Sequence, residues 1–345
     1  MKSPAIFALT LSIATLAARA EDWPQWGGND PGRNMYSSAT GLPDAFDPGK
    51  FKSGSEEVDL ATTKNVKWVA KLGSQTYGNP VVANGKVFVG TNNATPRDPK
   101  FKDDRSCVYA LNEYNGDYLW QLAVPKLASG KVNDWEYLGI LSSPTVEGSK
   151  LYVTTNRCEV VCLDVEGMAN GNDGPYKDEA KYLGGPGKPA VEAGEKDADI
   201  LWKYDMMDEL GVFPHNAANC SVITLGDKLF ACTSNGQDWT HVNIPSPLSP
   251  SFIVLDKKSG EFLGEDDAKI GPNIKHGQWT SPSLGKVNGK EQVYFGGGDG
   301  ILYAFDPTPI KEGDSSFSKK VWWFDAVPEE YKKDKAGKPI KAMAA

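Results

Sequence analysis

The stretch GNPVVANGKVFVG (residues 78–90), followed by CVYALNEYNGDYLWQL (107–122), decides the fold, because three further stretches can be written beneath it. They are SSPTVEGSKLYVTT (142–155) with EVVCLDVEG (159–167) and ILWKY (200–204); NCSVITLGDKLFACT (219–233) with FIVLDKKSGEFLG (252–264); and TSPSLGKVNGKEQVYFGG (280–297) with ILYAFDPT (301–308) and KVWWF (320–324). Each begins at a small residue or proline (Pro80, Pro144, Ser221, Pro282) and passes through a short apolar run and a polar turn. Each third run ends in Asn or Asp: Asn112, Asp164, Asp256 and Asp306. Self-similarity at this period belongs to radially arranged or stacked repeats, so architecture comes before chemistry.

Each repeat resolves into four strands, A to D. In the second, Pro144 to Glu147 is A, Lys150 to Thr155 is B, Glu159 to Asp164 is C and Ile200 to Tyr204 is D. Leu151 and Val153 alternate with Tyr152 and Thr154, as a half-buried strand requires. Asn84-Gly85, Glu147-Gly148 and Gly226-Asp227 supply the positive-φ dipeptides of tight hairpins. A four-stranded antiparallel meander repeated about an axis is a β-propeller blade, so the fold class is all-β. Four blades are visible, and Trp68 in VKWVAKL is read as closing strand D of a fifth.

At these residues the chain resembles the propellers of pyrroloquinoline-quinone-type repeats. Their signature is a strand ending Ala-x-Asp/Asn, a Gly-containing turn, then Trp. It stands here as Ala110-Leu111-Asn112, Gly116 and Trp120, and more loosely as Cys162-Leu163-Asp164 with Trp202 and Ala304-Phe305-Asp306 with Trp322. The third copy keeps Asp256 and Gly260 but has Phe262 where Trp is expected. The opening Asp22-Trp23-Pro24-Gln25-Trp26 is similar to the leader of exported members. The resemblance implies Trp side chains docked between blades and covers nearly everything from Asp22 to Asp325. Family propellers usually have seven or eight blades, so the chain reads as part of a longer ring, with a complete small propeller as the alternative.

The sequence has 345 residues, with 36 Gly and 23 Pro punctuating short runs. Residues 1–20 read as a signal peptide: Lys2, an apolar stretch from Ala5 to Ala18, and the small-x-small site Ala18-Arg19-Ala20. This implies an exported protein, periplasmic or secreted. Residues 21–67 form a leader, 68–325 the blades, and 326–345 a Lys-rich tail. The net charge of −8 and the lack of a basic tract argue against nucleic acid. Five cysteines leave at least one thiol unpaired within the chain. Cys158 and Cys162 lie roughly 13 Å apart along one strand, too far for a disulfide. Cys220 and Cys232, flanking a hairpin, are the more plausible pair; burial as small apolar residues is the simpler reading.

In such a meander the D–A and B–C connections leave one face and the A–B and C–D connections the other. Long loops therefore gather on the D–A/B–C face, where a rigid scaffold can hold a binding site. The residues before each strand A ring the channel mouth: Gln75, Tyr77 and Asn79; Trp135, Glu136 and Tyr137; His215, Asn216 and Asn219; His276, Gln278 and Trp279. This aromatic, amide and imidazole mixture suits an orienting, partly apolar ligand site. His215 and His276 take matching places in adjacent blades, but no third ligand stands at metal spacing, so no metal is expected.

The resemblance also implies what a quinone-dependent dehydrogenase would need: a Trp floor, a disulfide of adjacent cysteines and a calcium beside an Asp base. Trp135 or Trp279 is the candidate floor, and Asp134, Glu136 or Asp299 the candidate calcium ligand. The sequence has no Cys-Cys dipeptide and no Cys-x-x-Cys-His haem motif. Gly296 to Gly300 reads as a tight B–C turn rather than a phosphate cradle, and the Pro/Gly/charge-rich insertion Gly167 to Asp197 as a mobile excursion. The first function reading is a non-catalytic binding or assembly scaffold, with a protein partner or small-molecule ligand on the D–A/B–C face. The alternative is a pyrroloquinoline-quinone-dependent alcohol or sugar dehydrogenase, with calcium, or a relic of one.

Overall fold

The computed structural model describes residues 21–127, 135–333 and 337–338. The proposed signal peptide and Asp134 lie outside them. A short pair, β1 (Lys50–Phe51) and β2 (Val58–Asp59), precedes the blades.

Blade 1 is β3 (Val81–Ala83), β4 (Lys86–Asn92), β5 (Arg105–Asn112) and β6 (Tyr118–Pro125). Blade 2 is β7 (Thr145–Glu147), β8 (Lys150–Thr154), β9 (Glu159–Asp164) and β10 (Ile200–Asp205), with helix α1 (Glu179–Gly184) between the last two. After helix α2 (Met206–Leu210), blade 3 is β11 (Ile223–Leu225), β12 (Lys228–Cys232), β13 (Phe252–Asp256) and β14 (Phe262–Asp266). Blade 4 is β15 (Ser283–Val287), β16 (Lys290–Gly296), β17 (Ile301–Phe305) and, after the hairpin β18 (Ile310–Glu312) and β19 (Ser315–Ser318), β20 (Lys320–Asp325). Every blade is an antiparallel meander in chain order, so the molecule is a β-propeller of four-stranded blades.

One joint recurs between blades. The Asn or Asp ending strand C caps the next turn: Asn112 Oδ1 accepts Tyr114 N–H, Asp164 Oδ1 Glu166 N–H, Asp256 Oδ1 Lys258 and Ser259 N–H, and Asp306 Oδ1 Thr308 N–H. This leaves the carbonyl of the following residue facing the preceding blade. Trp120 Nε1 donates to Val165 O at 3.0 Å and Trp202 Nε1 to Lys257 O at 3.3 Å. Each indole lies on a glycine of that turn. A Cβ on Gly167 would stand 2.8 Å from Trp120, and one on Gly260 2.5 Å from Trp202. Both glycines have positive φ, so turn and contact alike demand glycine.

Each C–D pairing carries a register shift at the same point: Ala110 faces Trp120, Cys162 faces Trp202, and Ala304 faces Trp322. A bulge of this kind twists the outer strand and re-aims the indole. In blade 3 the same register puts Gly264, not Phe262, opposite Val254. The expectation that Phe262 replaces the Trp is therefore corrected. A Cβ at Gly264 would meet Pro309 of blade 4 at 2.6 Å, so a proline from the next blade fills the place of the indole. Phe262 instead stacks on Tyr204, with ring centroids 6.2 Å apart.

Trp68 makes the same joint with blade 1, its Nε1 donating to Glu113 O at 2.9 Å against Gly116. Its segment forms no strand and pairs with none among the described residues, so the leading strand of a fifth blade is not formed there. At the other end Trp322 Nε1 bonds Gln292 within its own blade, and Val321, Trp322, Trp323 and Phe324 are exposed.

The leader runs along the A strands of blades 1, 2 and 4 and reaches blade 3 through the Arg33 side chain. Trp23 exchanges backbone hydrogen bonds with Val82, Pro24 O accepts Val146 N–H, and Pro31 O accepts Leu284 N–H. Arg33 ends the crossing. Its guanidinium donates to the carbonyls of Trp26, Ser221, Val222 and Pro282, and burial pushes its pKa down to about 10.

The insertion 165–199 is ordered, which corrects the mobile reading. Tyr182 and Leu183 of α1 are buried, and Asp197 pairs with Lys100. Gln121 of β6 donates to Lys196 O and accepts from Ala198 N–H, so the insertion runs parallel along the outer strand of blade 1. Tyr182 and Leu183 at the right places outweigh a polar composition. The blade 4 insertion does the same, β19 pairing parallel with β14 of blade 3. All five cysteines are free and buried. Cys220 Sγ accepts Cys232 N–H at 3.1 Å instead of bonding its sulfur, and burial pushes its thiol up to about 11.

Trp120→Ala is expected to cost about 3–5 kcal/mol, as aromatic core truncations do. Arg33→Met, which takes the guanidinium from four carbonyls, of which Val222 O alone keeps a second donor in the Thr145 hydroxyl, is expected to cost about 3 kcal/mol. Urea denaturation measures both, and a near-wild-type midpoint for Trp120→Ala would refute the docking role.

Candidate functional site

The D–A/B–C face divides into two parts. On blades 1 and 2, Tyr77 donates its hydroxyl to Gln75 Oε1, and Asn79 N–H is held by Ser143 Oγ. Tyr137, at φ 58°, is tied by its N–H to Asp104 and by its carbonyl to Asn92. Trp135 and Glu136 are exposed beside it, as is Tyr77. On blade 3, Asn216 sits at φ 64° and Asn219 donates its N–H to Ser234 Oγ. Gln278 is buried and structural, bonding Ser251 Oγ, Asn235 O and Gly298 N–H.

The residues brought closest together lie on blades 3 and 4. His215 precedes strand A of blade 3 and His276 precedes strand A of blade 4. Their ring centroids are 4.3 Å apart. The B–C loop of blade 3 then folds over them. Gln237 N–H donates to His276 O at 2.8 Å, and Gln237 O receives His215 Nδ1 at 2.6 Å. This close approach requires Gly236, where a Cβ would stand 2.7 Å from His215 Cβ and 2.8 Å from His276 O.

Beyond that lock the loop turns at Asp238, whose carboxylate accepts Thr240 N–H and whose carbonyl accepts His241 N–H. His241, at φ 58°, is thereby brought to 5.1 Å from the His215 ring and 4.8 Å from the His276 ring. One imidazole nitrogen of each residue lies within 4.8 Å of the other two. The expectation that no third ligand accompanies His215 and His276 is thus overturned. His241 is remote in sequence from both, and only the fold-back of the long B–C loop delivers it. All three histidines of the chain meet here.

Trp279 closes one side, its ring centroid 5.3 Å from His276 and its Nε1 donating to His215 O. Burial lowers the pKa of His215, against the raising effect of its bond to Gln237 O, and burial also lowers that of His276. Both therefore favour the neutral imidazole.

A family model described as outer membrane protein assembly factor BamB matches residues 53–167, from β2 through the C strand of blade 2. Over those residues, and in the repeated Asx–Gly–Trp joint, the repeats of this β-propeller are similar to the PQQ-like type. No curated protein matches the sequence. Among solved structures, BamB from Moraxella catarrhalis is 12% identical, with a TM-score of 0.44 over 78% of this chain and 57% of that one. Quinohemoprotein alcohol dehydrogenase from Comamonas testosteroni is 16% identical, with a TM-score of 0.46 over 94% and 52%. Quinohemoprotein alcohol dehydrogenase ADHIIG from Pseudomonas putida HK5 is 16% identical, with a TM-score of 0.42 over 76% and 36%. The propeller thus spans less than two thirds of each of these chains. No helix among the described residues is long and apolar enough to cross a membrane.

The described residues do not fit a quinone site. The cysteines are separate and buried in the blades, and Trp279 is flanked by imidazoles rather than by a sulfur pair. Asp299, one of the candidate calcium ligands, is engaged by the Tyr303 hydroxyl and by Ile301 N–H in the tight turn after β16.

Gly236→Ala is expected to force the B–C loop off His215 and cost about 1–3 kcal/mol, the price of overpacking. His276→Ala, at an exposed ring, is expected to stay within about 0.5 kcal/mol of wild type. Thermal denaturation of the two variants tests both, and a large loss for His276→Ala would make that ring a structural element.

Proposed function

We propose that this propeller is a non-catalytic binding or assembly scaffold, exported by its N-terminal signal, that holds a partner on its D–A/B–C face. The observation that carries this reading is the character of that face. Exposed aromatic and apolar groups, including Tyr77, Trp135, Tyr137, Trp239, Val242 and Leu248, stand on loops anchored to a buried scaffold. Such a surface offers large contact area at low entropy cost, because Trp and Tyr lose few rotamers on binding. The match to an assembly-factor family model over blade 1 and most of blade 2 agrees with a scaffold. The cysteine placement and the engaged Asp299 count against a quinone-dependent dehydrogenase.

Titration of the folded protein with pyrroloquinoline quinone and Ca²⁺, followed by tryptophan fluorescence, tests the reading. No saturable response is expected. Saturable quenching at micromolar quinone would overturn the scaffold and favour the dehydrogenase.

A further inference from the structure

We propose that His215, His241 and His276 form a binding site for a divalent transition-metal ion of the zinc class, beside Trp279 on the loop face. The inference does not depend on the scaffold reading.

Four observations carry it. The first is convergence: the chain has only three histidines, they come from three separate loops, and each offers a nitrogen within 4.8 Å of the others. Second, the tautomer of His215 is fixed as it is in metal-binding imidazoles. Its Nδ1 is committed to Gln237 O at 2.6 Å, and a nitrogen donating to a carbonyl fixes the tautomer and leaves the Nε2 lone pair free. Third, no competing use of the other two rings appears among the described residues. His241 and His276 are exposed and make no side-chain hydrogen bond there. Fourth, the backbone is strained to present His241. Its left-handed φ of 58° is unfavourable in a non-glycine residue, and the turn from Asp238 to Asn243 holds it there.

The geometry suits the ion. Tetrahedral zinc with Zn–N bonds of about 2.0–2.1 Å sets its nitrogens roughly 3.4 Å apart. Closing the present spacing to that falls to rotation of the two exposed rings, because His215 is held by Gln237. Neutral imidazole ligands select zinc or copper over calcium or magnesium, which take oxygen. Three protein ligands leave a fourth position for water or for a donor group on a bound molecule. The site is thus of the open kind, set among the aromatic groups of the loop face.

The test is a Zn²⁺ titration of the whole protein in competition with a chromophoric chelator. One equivalent is expected to bind. His241→Ala and His276→Ala are each expected to weaken binding at least about 100-fold, the upper end of the loss seen when only a supporting partner is removed. Both rings are exposed, so the variants should keep the wild-type denaturation midpoint, which is measured alongside. A protein that fails to compete for one equivalent of Zn²⁺ overturns the proposal. So does unchanged affinity in both variants, which would place the ion on carboxylates elsewhere.

Discussion

The indole resting on a neighbour's glycine, with its N–H on the neighbour's carbonyl, is the interaction on which the rest of the molecule depends. A blade alone has two apolar faces and no way to bury both. The Trp joint sets the distance and angle at which the next blade covers one of them. Three elements must agree for it to work. An Asn or Asp must turn the chain so that a carbonyl points backward, glycine must leave room for the ring, and a bulge in the outer strand must aim it. Where blade 3 lacks the indole, Gly264 and Pro309 exchange roles, a small residue on the strand and a bulky ring on the turn.

Two further devices hold the blades once they are spaced. The leader lies along the inner strand edges and ends in Arg33, whose planar fork reaches carbonyls of its own segment and of blades 3 and 4. A guanidinium suits this place because it offers several fixed donors and is weakly hydrated for a cation. On the outside, the insertions of blades 2 and 4 reach back along the outer strands of blades 1 and 3. The same constraint explains the site. Loops on one face can be long because the strands beneath them are fixed from both edges.

Much of the fold was legible because its rules are local. Hairpin dipeptides, alternation and the terminal Asn or Asp of each C strand lie within a few residues of what they determine. Legibility failed wherever a partner came from another blade. Phe262 seemed to stand for Trp because aromatic character was visible and the skipped residue in the register was not. The insertion 165–199 looked mobile by composition, yet Tyr182 and Leu183 find a prepared surface on blade 1. The pairing of His215 with His276 followed from their equivalent positions in two repeats. His241 belongs to no repeat position, and only Gly236, small enough to let the loop descend, hinted at where it goes.

The backward-reaching insertions alternate, and this has a colloidal consequence. Blades 1 and 3 have their outer strands covered, whereas β10 and β20 are terminal in their sheets. The edge of β10 is guarded by charge, with Lys203 and Asp205 along it. The edge of β20 is Val321-Trp322-Trp323-Phe324, apolar and exposed, and no further strand pairs with it among the described residues. Such an edge is a template for another strand. A strand added there would extend blade 4 outward and lie away from the loop face.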